Sequence, residues 1–179
     1  MISIRLGKDD QKLLSLRAGT SLALSGVVYT ARDAAHKRLS SMIRNGEPLP
    51  FPLKGALLFY AGPAPAPPGL DCGAIGPTTS SRMDPFTPLL LEQGILGALG
   101  KGKRSPAVKE AFLRRGAVYL VAVGGAAALL SRFVTKIDPV AFEDLGPEAV
   151  YSVELNGFPC FVGLDTQGGD IYTMREDTR

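Results

Sequence analysis

The sequence predicts an α/β protein with a mixed, partly parallel sheet and flanking helices. Three observations carry this. Short, continuously apolar runs recur at residues 55–61, 95–99 and 117–123, the pattern of strands buried on both faces. A turn rich in glycine, proline or hydroxyl residues follows each run, and then a segment of helical composition. The connections are mostly short, so a repeated β-loop-α unit is the economical reading.

Taken in order, residues 1–20 read as a lead-in strand, a turn at Arg17-Ala18-Gly19-Thr20 and a second short strand. Residues 21–30 alternate and are rich in β-formers, which predicts a strand. Thr30 is placed to cap a helix over 31–44, with Asn45-Gly46 as its stop signal. Arg32 and His36 are four apart and share a face near the start of that helix. Residues 55–61 predict a buried strand, and the proline-rich 62–69 an extended connector. A helix over 85–93 and a strand over 95–99 follow, then a helix over 107–115, opened by Ser105-Pro106 and ended by Gly116, and a strand over 117–123. Gly124-Gly125 leads into a small-residue helix ending near residue 132. The remainder predicts two strands, 150–154 and 159–164, around a turn at Asn156-Gly157, then a Gly-Gly turn within 165–172.

The chain of 179 residues is long enough for one domain spanning 1–179, with a tail after about 172 expected to be loose. Its net charge of +3 and scattered basic residues argue against a nucleic-acid partner. No apolar run approaches the roughly 20 residues that cross a bilayer. The N-terminus lacks a signal-peptide pattern, so the expected location is the cytoplasm. Cys72 and Cys160 are far apart, and His36 is the single histidine. Two cysteines hold no iron–sulfur cluster or structural zinc unaided, so metal chemistry would have to be completed by another chain.

The stretch Gly76-Pro77-Thr78-Thr79-Ser80-Ser81-Arg82 has the composition of a site. Four hydroxyls in a row suit neither helix nor strand interior but bind oxygens well, and an arginine fork matches carboxylate or phosphate. Asp84-Pro85 predicts an N-cap with proline at the first helical position, where anions are favoured. An ordinary polar turn has the same composition. Gly97 to Lys103 carries the spacing G-x-x-x-x-G-K, but Arg104 stands where a phosphate-binding P-loop needs Ser or Thr. An anion-binding Gly/Lys turn competes there with a solvated basic loop. Arg32, Arg82 and Lys101 thus recur at one kind of place, between a strand and a helix, which points to a dicarboxylate or phosphate site. His36 suits an acid or base in principle, though a helix histidine more often serves as a structural hydrogen-bonder.

Thr30 to Arg38, Gly76 to Asp84, Lys101 to Ser105 and Gly124 to Ala128 occur in this order along the chain. Together they resemble the β subunit, or C-terminal domain, of the class I iron–sulfur fumarate hydratase and L-tartrate dehydratase family, from about residue 10 to 172. The resemblance implies a swivelling β/β/α domain that closes over a [4Fe-4S] cluster held by a separate α subunit or domain, hence a hetero-oligomer acting on a small dicarboxylate. It further implies Arg32, Arg82 and Lys101 as substrate-carboxylate ligands and Thr78 as the base, with His36, Thr79 and Asp84 in support. The activity implied is hydration of fumarate to (S)-malate, or dehydration of tartrate to oxaloacetate; the former is the commoner role in the family. The competing reading is a non-catalytic anion-binding domain of the same fold.

Overall fold

A computed structural model describes residues 1–65, 67–69 and 73–174. Seven strands run in the order β1-β2-β3-β4-β5-β7-β6, with a further pairing of β2 to β7. These are β1 Ile2–Arg5, β2 Ser21–Thr30, β3 Leu57–Phe59, β4 Gly97–Gly100, β5 Val118–Val121, β6 Val134–Ala141 and β7 Val150–Leu164. Strands β1 to β5 pair in parallel, whereas β7 runs antiparallel to β2, β5 and β6. Because Phe161 of β7 pairs with both Ser21 of β2 and Val121 of β5, strands β2, β3, β4, β5 and β7 close into a ring.

Alternation along these strands divides the apolar side chains between two cores. Inside the ring lie Leu22, Leu24, Phe59, Leu99, Leu120 and Phe158, among others. On the outside, Leu58, Tyr60, Ala98 and Tyr119 pack beneath three helices: α2 Asp33–Arg44, α3 Thr87–Glu92 and α4 Pro106–Arg115. Helix α4 is bounded as its sequence dictates. Ser105 caps the N-terminus by accepting from the Val108 N–H, and Gly116 closes the C-terminus in the left-handed conformation.

Several expectations are corrected. The second short strand expected before residue 20 is instead a helix, α1 Asp10–Ser15, which buries Leu13. Thr30 does not cap α2. Its hydroxyl accepts from the Tyr151 N–H and donates to the Ala149 carbonyl, joining β2 to the start of β7. The expected turn at Asn156-Gly157 is absent, and β7 continues through it as one strand of 15 residues. Gly157 has φ 68°, but this is a kink rather than a reversal: its N–H bonds Ser25 Oγ beside the register shift between Leu24 and Gly26. Strand β6 was not foreseen, since Lys136, Asp138 and Pro139 break its apolar pattern. It lies at the sheet edge, where proline costs no ladder bond.

The hydroxyl loop also differs. Residues Ser80–Met83 form a 3-10 turn, Asp84 closes it, and α3 begins only at Thr87 after Phe86. The Asp84-Pro85 cap therefore does not exist as such. The P-loop spacing dissolves too, because Gly97–Gly100 are β4 itself rather than a loop after it. Cys72 and the expected loose end of the tail (residues 175–179) lie outside the described residues.

Candidate active site

The carboxyl ends of β2, β3 and β4 converge, and the hydroxyl loop is stitched across them. The Thr78 N–H donates to the Tyr60 carbonyl at 2.7 Å, just beyond β3. Thr79 pairs with Lys101 in a parallel bridge, and the Ser80 N–H donates to the Lys101 carbonyl at 2.9 Å. In return, the Lys101 N–H donates to Ser80 Oγ at 3.0 Å. Thr78 and Lys101 are thereby brought to adjoining strand ends from 23 positions apart in the chain. Thr78 and Lys101 are partly exposed, and no hydrogen bond or ion pair of their side chains is found among the described residues.

Arg32 and Arg82 reach the same end of the sheet from α2 and the 3-10 turn. Arg82 Nε donates to Asp33 Oδ1 at 3.0 Å, and Nη2 lies 2.9 Å from Oδ2. Arg32 pairs with Glu148 at 3.5 Å, and its buried Nε has no partner among the described residues. Glu148 also accepts from the Ala34 N–H at 2.8 Å, serving α2 as the cap that Thr30 does not supply. Both arginines are thus already oriented by a carboxylate of this chain. Among the described residues none orients Lys101.

His36 is fully buried and sits under the site rather than in it. Its Nδ1 is 2.9 Å from the Arg32 carbonyl, and its ring meets Tyr60 edge-on at 5.1 Å. Burial pulls its pKa down to about 4, so the imidazole is neutral and Nδ1–H is the donor to Arg32. It holds the backbone of Arg32, not the guanidinium. Thr79 is exposed and contributes its backbone bridge. Asp84 faces inward, accepting from Arg104 Nε at 2.7 Å and from the Ser105 N–H at 2.8 Å.

Sequence reasoning missed Arg104, Ser80, Tyr119 and the carboxylates Asp33 and Glu148. The Arg104 side chain is entirely buried, with its guanidinium carbon 5.3 Å from the Tyr60 ring centre and 5.0 Å from that of Tyr119. Burial opposes its charge, but Tyr60 and Asp84 more than offset that, and its pKa is raised. The Tyr119 phenol, pushed up by burial, keeps its proton and hydrogen-bonds with Ser80 Oγ at 2.9 Å and the Gly102 carbonyl at 2.8 Å. The signals for Arg104 in the sequence were its place where the P-loop pattern fails and its position within the stretch Lys101 to Ser105.

The donor set of this end of the sheet, hydroxyls and cations, suits carboxylate oxygens rather than a metal. Among the described residues no three histidine, cysteine or acidic side chains gather as a metal site. Cys160 is buried in the ring core, where desolvation pushes its thiol up to about 12, so it is no thiolate ligand.

The family described as Fumarase C-terminus matches residues 1–175. The chain belongs to that family. Relatives include fumarate hydratase 2 of Leishmania major, 39% identical over 94% of this chain and 30% of the relative. Aerobic class I fumarate hydratase of Salmonella typhimurium is 37% identical over 94% of this chain and 30% of the relative. The L(+)-tartrate dehydratase subunit beta of Escherichia coli is 32% identical over 90% of this chain and 81% of the relative. The fumarase C-terminus chain therefore spans under a third of the length of the fumarate hydratases it matches, and most of the tartrate dehydratase β subunit. Among its described residues no helix is long and apolar enough to cross a membrane.

Proposed function

We propose that this fumarase C-terminus chain is the β component of an iron–sulfur hydro-lyase that reversibly hydrates fumarate to (S)-malate. The observation that carries the reading is the Thr79–Lys101 bridge, which joins the segments bearing Thr78 and Lys101 at the end of the sheet that Arg32 and Arg82 also reach. Arg32, Arg82 and Lys101 carry three positive charges against the two carboxylates of Asp33 and Glu148, so a dianion is attracted. Lys101 is the natural anchor for one substrate carboxylate. Arg82 offers Nη1, its Nε and Nη2 being occupied by Asp33.

On this reading Thr78 Oγ1 removes the proton from the carbon beside a carboxylate. A hydroxyl is too weak a base by itself, so a group across the interface must take the Thr78 proton first. Charge that develops on the carboxylate as the C–H bond breaks is held by the fixed cations, which need no reorganisation. Among the described residues no three histidine, cysteine or acidic side chains gather to hold a cluster. A [4Fe-4S] cluster bound by cysteines of a partner subunit or domain would supply a Lewis acid for the hydroxyl and a carboxylate of the substrate.

Relatives named for tartrate match at identities close to those named for fumarate, which keeps dehydration of tartrate to oxaloacetate as the second reading. The test is an anaerobic assay of this chain, a cluster-bearing partner chain, and the two together, with both substrates. Turnover only in the mixture is expected, and the substrate panel then chooses between the readings. Turnover by this chain alone would overturn the division of labour. A loaded, assembled mixture inert towards both substrates would leave the anion-binding domain as the better account.

A further inference from the structure

Beneath the candidate site, three connections meet on one buried guanidinium. Arg104 Nε holds Asp84, which closes the 3-10 turn carrying Arg82. The guanidinium lies over Tyr60, whose carbonyl receives the Thr78 N–H. It also lies over Tyr119, whose hydroxyl reaches Ser80 Oγ and the Gly102 carbonyl on either side of the Lys101 backbone. Arg104 Nη2 further donates to Thr87 Oγ1 at 2.7 Å, at the start of α3. The segments that bear Thr78, Arg82 and Lys101 are thus each tied to Arg104 through one intervening residue.

We propose that Arg104 is a positioning residue, which sets the mutual placement of Thr78, Arg82 and Lys101 without touching the substrate. This rests on the hydro-lyase reading of the site. A buried ion pair is a poor device for stability alone, because desolvation offsets much of the attraction. It serves geometry well: the planar fork has fixed directions, and any shift of Asp84 leaves a buried charge unpaired. Lysine cannot replace it, since one ammonium does not reproduce the fork to Asp84 and Thr87 while stacking between two rings. Arg104 is also fully enclosed by protein, so its effect passes through those neighbours.

The test uses Arg104→Lys and Tyr119→Phe, the latter removing a single oxygen and keeping the ring, with Lys101→Met as a control on the site itself. In the complex with the cluster-bearing partner, kcat and KM are measured per assembled complex. Hydrogen exchange at the Thr78, Ser80 and Lys101 amides is followed in this chain alone. Arg104→Lys is expected to lower kcat/KM about 100-fold, the scale of a misplacement of about 1 Å. Tyr119→Phe is expected to lower it about tenfold, as for one lost hydrogen bond. In both variants the three loop amides should exchange faster while amides of the ring strands keep their protection. Unchanged kcat/KM in folded complexes of both variants, or loss of melting temperature with kcat/KM intact, would overturn the positioning role. If Arg104→Lys does not fold, Tyr119→Phe decides alone. If Lys101→Met also turns over normally, the hydro-lyase reading of this site fails and the inference falls with it; a damaged Lys101→Met beside a normal Tyr119→Phe and Arg104→Lys rejects only the inference.

Discussion

Arg82 and Asp33 face each other across the top of the sheet, Nε to Oδ1 at 3.0 Å and Nη2 to Oδ2 at 2.9 Å. They join two segments that lie 49 positions apart and that both bear candidate ligands. The pair is about half exposed on the arginine side, so it adds little to stability. Its effect is on direction: it fixes the plane of the Arg82 fork and leaves Nη1 outside the pair. Asp33→Asn is expected to raise KM about tenfold, the worth of one charge-assisted hydrogen bond, with the melting temperature unchanged. Steady-state kinetics and a thermal scan check both parts. A fall in KM would instead make Asp33 a competitor of the substrate.

Thr78 and Lys101 make different contributions on the proposed mechanism. Thr78→Ala should cut kcat by about 10² to 10⁴ while leaving KM and assembly near normal, the range for loss of a positioned base. Lys101→Met should raise KM and lower kcat together, since the ammonium meets the carboxylate before and during reaction. Neither side chain has a hydrogen bond or ion pair among the described residues, so both variants should melt as the parent does. Turnover by Thr78→Ala at the parent rate would remove Thr78 as the base.

Two glycines give a contrast that alters no ligand. A Cβ on Gly100 would fall 2.0 Å from Ser80 Oγ and 3.0 Å from the Tyr60 ring. Gly100→Ala therefore forces the hydroxyl loop off its strand and should cost about 1–3 kcal/mol together with most activity. A Cβ on Gly124 would lie 3.0 Å from Lys101 Cδ and 3.3 Å from Nζ, the far end of a flexible side chain. Gly124→Ala should displace only the ammonium, raising KM with stability intact. Denaturant midpoints and KM values on the two variants separate these outcomes.

His36 carries a pH dependence of stability. Its pKa is lowered from 6.5 to about 4 by burial, so between these values the unfolded chain binds the proton and the folded chain does not. Stability contributed by the neutral ring is complete above about pH 6.5 and is lost as pH falls towards 4. The full loss is about 3 kcal/mol from this group. His36→Leu should flatten that part of the profile, at the cost of the bond to the Arg32 carbonyl. Urea midpoints near pH 7 and pH 4.5, for parent and variant, measure the difference. Equal slopes in the two proteins would place the acid sensitivity elsewhere.

The parts of this fold governed by neighbours in the chain were legible. Strand β2 was read at Ser21–Thr30, its observed bounds, because its apolar alternation meets a single buried face. Helix α4 was bracketed by Ser105-Pro106 and Gly116, which act within one turn. The sequence also singled out Arg32, Arg82 and Lys101, whose residue types advertise anion chemistry wherever they lie, while Thr78 came from the family resemblance. Where pairing over long distances competed with a local signal, the local signal lost. Asn156-Gly157 is a strong hairpin dipeptide, yet β7 runs through it because β2 supplies partners along nearly all of its length. Asp84-Pro85 looked like a cap, but Arg104 and the Ser105 amide, 20 and 21 positions on, claimed the carboxylate.

By itself, then, the sequence determined the α/β class, the order of most elements and the kinds of side chain, hydroxyls and cations, that the proposed site offers. These follow from periodicity, turn chemistry and residue type, all of which act over a few residues. Only the tertiary structure decided which of those side chains are already engaged. Asp33 orients Arg82, Glu148 orients Arg32, and Lys101 has no side-chain partner among the described residues, while His36 is withdrawn beneath the site and Arg104 is drawn into an aromatic box. Electrostatic pairing and burial depend on distances in space, and the closed ring of strands sets those distances between residues far apart in the chain.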